Sequence, residues 1–272
     1  MDVMSLRVTS LASGSSGNAL LVQYGADALL VDCGVSQKAI ERHLRGAGLA
    51  PPDLRAVLLT HEHGDHTHCA GPLARRHGLP VVANGPTIGA LGAALDGVAL
   101  RELPVGSFCE VGPFVVRSFP VPHDAAAPVG YLISVGRWCV GVAVDLGSWD
   151  EPVAEALAPA DLIVLEANHD YERLRSAPYA WPVKQRIYSP LGHLDNVEAG
   201  RLLARIAADG RRRTAWLAHL SQEANSPQIA LKVVSGVLSL AGVGCVTVHA
   251  LPRRAPLTWE SDRHMEQLEL FL

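Results

Sequence analysis

Short apolar runs broken by Gly, Ser, Asn and Asp open the chain: LRVTSLA (6–12), ALLVQY (19–24) and ALLVDCG (28–34). Their β-branched and leucine content, with turn residues between them, predicts three strands of an antiparallel sheet. The period then changes. Ser36 stands where an N-cap belongs, ahead of QKAIERHLRGAG, and that helical stretch stops at glycine. AVLLT (56–60) is apolar again and too short for a helix, so it reads as a buried strand. A helix over 66–78, a strand over 79–84 and a helix from about Pro86 follow. The middle third, 107–123 and 129–147, is strand and turn throughout. Strands over 161–168, 214–220 and 245–251 then alternate with helices over 197–208 and 227–242. This order predicts an α/β protein built in layers, with polar residues gathered at strand ends on one rim.

The 272 residues, 49% hydrophobic and 18% charged, suffice for one large core. Pro and Gly punctuate turns without forming a linker, so the expectation is a single domain over 1–272. The first twenty residues lack a basic stretch leading into an apolar one, and no run approaches eighteen apolar residues. The expectation is a cytoplasmic protein with no membrane association. Five scattered cysteines without a C-x-x-C pair read as reduced core thiols, with Cys69 near enough to a histidine cluster to keep open. A net charge of −4 excludes bulk attraction to nucleic acid. Residues 171–213 run against that average, with a local excess of Lys and Arg that is either a set of solvated faces or an edge turned toward a polyanion.

The chemistry concentrates after the strand at 56–60. LLTHEHGDHTHC (58–69) packs four histidines and an aspartate into eight residues. Imidazole nitrogens and carboxylate oxygens suit Zn, Mn or Fe, whereas a ligand set without cysteine disfavours iron–sulfur or structural zinc. Such a loop cannot aim all its donors at one centre. His61 and His63 can serve one ion while Asp65 and His66 serve a second, with Gly64 permitting the turn between them. His68 and His77 read as ordinary polar residues, His68 at most supporting a ligand. Further donors stand at the ends of other apolar runs: His123, Asp145 and His219.

With these residues in order, THEHGDH as H-x-H-x-D-H and LVDCG around Asp32, the chain resembles the metallo-β-lactamase superfamily. The resemblance implies a four-layered αββα sandwich with a dimetal site on the sheet edge. His61, His63 and His123 would hold one divalent ion, and Asp65, His66 and His219 the other. Asp145 would bridge the two, and Asp32 would orient the ligand loop. Within the superfamily, LIVLEANHDYERL and YAWPVKQRIYSPLGHLDN are similar to the YycJ (WalJ) branch of metal-dependent exonucleases.

Two cations generate hydroxide from water near neutral pH and polarise the bond attacked, so hydrolysis is the default chemistry. The branch resemblance implies a DNA exonuclease working from a 5′ end, and a more distant likeness to transfer-RNA 3′-processing endonucleases implies a catalytic glutamate and histidine that map onto Glu166 and His193. A histidine held by a carboxylate is a suitable acid for an alkoxide leaving group. His193 as a loop residue capping a helix near Asp195 is the structural alternative. Asp65, Glu166 and His193 are thus the candidate catalytic residues, and nucleic acid the expected partner. A small-molecule hydrolase on the same scaffold, a cyclic or nucleotide phosphodiesterase, a lactonase or a thioesterase, is the alternative function. Three further readings stay open. His169 and Asp170 contact a terminal phosphate or support ligands. SGSSGN (13–18) cradles phosphate or simply turns, with Asn18 supporting the ligand loop. Trp181, Tyr179 and Tyr188 stack on bases or pack.

Overall fold

The computed structural model describes residues 4–262. One seven-stranded sheet runs in the order β14-β1-β2-β3-β4-β5-β6. It comprises β1 (Leu6–Ala12), β2 (Ala19–Tyr24), β3 (Asp27–Val31), β4 (Leu54–Leu58), β5 (Val81–Ala83), β6 (Leu100–Glu102) and β14 (Leu257–Glu260). The second, in the order β13-β12-β11-β10-β9-β8-β7, comprises β7 (Phe108–Val111), β8 (Phe114–Pro120), β9 (Val129–Val135), β10 (Trp138–Ala143), β11 (Leu162–Glu166), β12 (Arg213–Ala218) and β13 (Val246–Ala250). The antiparallel β1–β2–β3 meander is as the sequence predicts. From β3 to β6, and again from β10 to β13, neighbouring strands are parallel, which lines up their carboxyl ends.

Alternation within each strand explains the layers. Leu29, Val31, Ala56 and Leu58 face Val140, Val142, Leu162, Val164 and Trp216 in the core between the sheets. The intervening residues Leu30, Val57 and Leu59 point outward, onto Ile40 and Leu44 of α1 (Gln37–Gly46) and Leu73 of α3 (Ala70–His77). On the second sheet Ile163, Leu165, Ala215 and Leu217 face α5 (Glu151–Leu157), α8 (Asn196–Ile206) and α9 (Pro227–Leu240). Both faces of the central strands are covered, which is why these read as continuous apolar runs, whereas β6 is exposed and β7 and β8 alternate between buried and exposed residues. The result is the αββα sandwich.

Three features depart from the sequence reading, and the helix expected near Pro86 is present. The helix expected over 66–78 starts earlier, as the short α2 (Gly64–Thr67), and restarts as α3 after a break at Cys69. The helix near Pro86 is α4 (Gly85–Leu91), capped by Asn84. Helix α5, together with α6 (Tyr171–Ser176) and α7 (Trp181–Tyr188), was not anticipated; none exceeds eight residues, too little for a helical period to stand out. β14 closes onto β1 from a stretch with too few apolar residues to announce a strand.

Candidate metal centre

The sequence places every candidate donor just beyond a strand, and the parallel registers bring those ends to one rim. β4 leads into His61, His63, Asp65 and His66; His123 sits between β8 and β9; Asp145 follows β10; Glu166 ends β11; and His219 follows β12. Among the described residues, the non-glycines with positive φ are Asp32 (60°), Asp145 (53°) and His219 (54°). Each leaves its strand in the left-handed region, a costly conformation for such residues that turns the side chain sharply onto the rim.

Four of the buried histidines, His61, His66, His123 and His219, are built alike. Nδ1 of His61 lies 3.0 Å from Thr60 Oγ1, Nδ1 of His66 2.7 Å from Asp32 Oδ2, and Nδ1 of His123 2.9 Å from the Gly192 carbonyl. Nδ1 of His219 lies 2.8 Å from Glu166 Oε1. With Nδ1 anchored, each ring presents Nε2 to a common centre. The Nε2 atoms of His61, His123 and His219, and Oδ1 of Asp145, are buried without a hydrogen-bond partner. Such atoms cost about 1–3 kcal/mol each when left bare, and a metal ion satisfies them together. Donors from His61, His63 and His123 form one group within 4.8 Å of one another, and those from Asp65, His66, Asp145 and His219 form a second. Asp145 Oδ2 stands between the groups, 3.4 Å from His61 Nε2 and 2.6 Å from His66 Nε2. This is a divalent-metal site with nitrogen and oxygen donors.

A third cluster, Asp145, Glu166, His193 and His219, is equally compact. It is a hydrogen-bond network. Glu166 Oε1 lies 2.8 Å from Nδ1 of both His193 and His219, while Oε2 accepts from the Leu146 and Leu194 N–H groups, so no lone pair points at an open space. Burial opposes ionisation of Glu166, but His193 and then His219 outweigh it and hold the carboxyl at about 2. Being ionised, Glu166 only accepts, so both Nδ1 atoms carry protons and Nε2 is the atom that His219 turns toward Asp65, His66 and Asp145. Burial also works against charge on His193, yet Glu166 and Asp145 raise it to about 10. Its side chain is 14% exposed, so it can meet a substrate. Burial pushes His61 well down and lowers His123, which keeps both neutral.

The remaining candidates separate. Asp32 accepts from the Thr60 N–H and hydroxyl and from His66, bracing the ligand loop. In the 13–18 turn, Asn18 N–H donates to the Asp65 carbonyl at 2.8 Å, Asn18 Nδ2 lies 2.9 Å from His66 Nε2, and Ser13 Oγ accepts from the His219 N–H. Asn18 therefore supports the loop. His169 is buried against Tyr188, and Asp170 caps α6, so neither reaches the donor groups. Tyr188 donates to the Tyr171 carbonyl, Tyr179 packs at the α6–α7 junction, and Trp181 is 63% exposed. His77 pairs with Glu41, and His68 is exposed. Cys69 is buried beside Cys33, its Sγ 2.9 Å from that of Cys33. The basic stretch 171–213 is largely neutralised: Arg175 pairs with Glu172, Arg186 with Asp124, Arg201 with Glu198, Arg205 with Glu151, Arg211 with Asp161 and the buried Arg213 with Asp209. Three of these partners, Glu172, Glu198 and Asp209, lie three or four residues from their arginines, whereas Asp124, Glu151 and Asp161 lie outside the segment and are too distant in sequence to be seen there. Thr60, Ser13 and the Gly192 carbonyl are site residues the sequence reading missed; only Thr60, adjacent to His61, left a signal.

Residues 28–220 match the family model described as a Beta-lactamase superfamily domain, a span that contains every donor. The chain belongs to the metallo-β-lactamase superfamily. It is 36% identical over 249 residues to "Exodeoxyribonuclease WalJ" of Streptococcus pneumoniae serotype 2, covering 90% of this chain and 92% of that protein. It is 37% identical over 244 residues to "Exodeoxyribonuclease YycJ" of Bacillus anthracis, covering 89% and 92%. These likenesses place it in the YycJ/WalJ-like branch of the superfamily. The metallo-β-lactamase fold protein YhfI of Bacillus subtilis shares the fold, with a TM-score of 0.74 at 22% identity over 95% of this chain and 100% of that one. No helix among the described residues is long and apolar enough to cross a membrane.

Proposed function

We propose that this chain is a cytoplasmic exodeoxyribonuclease that cleaves DNA phosphodiester bonds from a 5′ end, using two divalent ions. The observation that carries the reading is the Glu166–His193 pair standing against a two-part donor set. His61, His63 and His123 would hold one ion, and Asp65, His66 and His219 the second, with Asp145 between them. The orphaned Nε2 atoms and Asp145 Oδ1 support this assignment. The donor chemistry accommodates Zn, Mn or Fe.

When bound, such ions supply hydroxide near neutral pH and polarise the phosphoryl group. The chain's own residues do the rest. Asp32, Thr60 and the Gly192 carbonyl hold the rings through Nδ1, so that their Nε2 atoms stay aligned without reorganisation. Glu166 holds His193 protonated, with its ring turned toward Asp145. Nε2–H of His193 donates a proton to the departing deoxyribose oxygen, a poor leaving group otherwise. Likeness to proteins named exodeoxyribonucleases over nine-tenths of the chain selects DNA as substrate over a small diester or a lactone.

End-labelled single- and double-stranded DNA, with and without a 5′-phosphate, incubated in Mn or Zn beside an Asp65→Ala control, tests the proposal. Stepwise shortening from the 5′ end, lost in the control, is the expected result. Inert DNA alongside rapid cleavage of a cyclic nucleotide would overturn it in favour of a small-molecule phosphodiesterase.

A further inference from the structure

A cleft of about 540 Å³ opens beside Asp65, between the 13–18 turn, the start of α1 and the segment that follows β13. Arg42, Arg253 and Arg254 line it together with His43 and His68, and Asp65 is the one carboxylate among the described lining residues. None of these arginines pairs with a carboxylate among the described residues, whereas the arginines of 171–213 mostly do. The Arg253 Nη2 group donates to the Leu220 carbonyl at 2.9 Å, which ties that arginine to the residue after His219. Ser15 and Ser16 are exposed at the tip of the turn, while at its base Gly17 packs against Gly34 and Val35 and Asn18 N–H donates to the Asp65 carbonyl. A second cleft of about 430 Å³ shares Leu11 and His43 with the first and leads away from the metal centre.

We infer that this cleft binds the uncleaved phosphate groups of the substrate strand, next to the scissile bond. The inference rests on the nuclease reading above. Guanidinium groups without a carboxylate partner among the described residues, gathered around a concave site, favour phosphate, which they can grip with two parallel hydrogen bonds. The volume is that of a small-ligand site and accommodates a nucleotide. Serine hydroxyls at the turn tip add donors of the right reach. The chain is acidic overall, so this unneutralised basic wall, touching the metal centre through Asp65, sets where the strand lies. The phosphate can be a terminal monoester or an internal diester, and the two are separable by experiment.

Arg42 and Arg254 are exposed, so Arg42→Ala, Arg254→Ala and the double variant are expected to fold, as thermal melting can verify. Anisotropy of a fluorescent, cleavage-resistant phosphorothioate single strand on the metal-loaded protein reports affinity without turnover. Each substitution is expected to weaken binding roughly tenfold and to lower the slope of log affinity against log salt by about 0.7. A loss confined to 5′-phosphorylated strands identifies the terminal monoester; an equal loss on 5′-hydroxyl strands identifies internal diesters. In the presence of Mn, the loss of kcat/KM on DNA should exceed that on bis(p-nitrophenyl) phosphate, which is too short to reach the cleft. Unchanged affinity and salt slope in the double variant would overturn the inference, and so would equal loss on both substrates. Wild-type protein that binds DNA through these arginines without cutting it would instead remove the nuclease reading and leave the cleft.

Discussion

Nδ1 of His193 lies 2.8 Å from Oε1 of Glu166, and the same carboxylate oxygen stands 2.8 Å from Nδ1 of His219. One buried glutamate thus governs a candidate proton donor and a candidate metal ligand together. The two roles can be pulled apart by substitution, because of the two histidines only His219 belongs to the proposed ligand set.

His193→Ala removes the proton donor and leaves the donor groups in place. DNA turnover is expected to fall by about 10²–10⁴-fold, the usual range for a positioned acid. A diester with a p-nitrophenolate leaving group needs no proton and should lose far less. Steady-state kinetics on both substrates, with metal content by elemental analysis, checks this. Equal losses on the two would remove His193 from the acid role.

Glu166→Gln preserves shape but reverses the tautomer of His219. The amide must turn its oxygen toward the Leu146 N–H, so its NH₂ group donates to Nδ1 and the ring proton moves to Nε2. Metal affinity should drop by about 10–100-fold, the scale for a lost supporting contact. Competition with a chromophoric chelator measures it.

The pH dependence follows from His193. Its ordinary value near 6.5 is raised to about 10, with burial opposing and Glu166 and Asp145 prevailing. The group therefore keeps its proton as pH rises through neutrality and loses it only as pH passes the raised value. A bound dication repels that proton and moves the step downward. The alkaline limb of kcat/KM on DNA should lie above pH 6.5 and vanish in His193→Gln. A wild-type limb centred at or below 6.5 would show that Glu166 does not sustain the proton.

Metal removal should cost stability, because the bare donors at His61, His123, His219 and Asp145 are buried. A divalent ion at a hundredfold excess over its Kd stabilises the folded state by about 2.7 kcal/mol. Calorimetry with Zn, Mn or EDTA should show the matching rise in Tm, lost in Asp145→Ala. A Tm insensitive to metal would mean that these donors do not converge on an ion.

Gly34→Ala tests how the ligand loop is seated. A Cβ at this position would stand 1.6 Å from the Asp65 carbonyl oxygen. The Asp65–His66 backbone is held there by the Asn18 and Cys33 N–H groups and cannot retreat. Destabilisation of roughly 3 kcal/mol or more, with loss of bound metal, is expected from such overpacking. Chemical denaturation and metal analysis read out both effects.

Much of this was legible in the linear pattern. Leu29 to Val31 and Leu162 to Leu165 announce doubly covered strands, because burial on both faces leaves no polar alternation. The donors were legible because imidazole and carboxylate at the end of an apolar run have few other uses. Helices α6 and α7 were not, since short helices leave no periodic signal and owe their shape to packing around Leu174, Ala177 and Ala224. The charge of 171–213 left two readings open for a related reason: Glu151 and Asp124, which neutralise Arg205 and Arg186, lie outside the segment.

The amino-acid order alone determined which side chains could bind metal and that each would stand at the end of a strand. Those are properties of residue type and local period. Tertiary structure alone decided that Nδ1 of His61, His66, His123 and His219 is anchored, with Nε2 turned toward the donor groups, and that Asp145 lies between those groups. It also decided that Arg42 meets Arg253 and Arg254 across a cleft more than two hundred positions apart in the chain. Ring orientation and charge neutralisation depend on partners brought together by sheet register, and no local stretch of sequence encodes a register on its own.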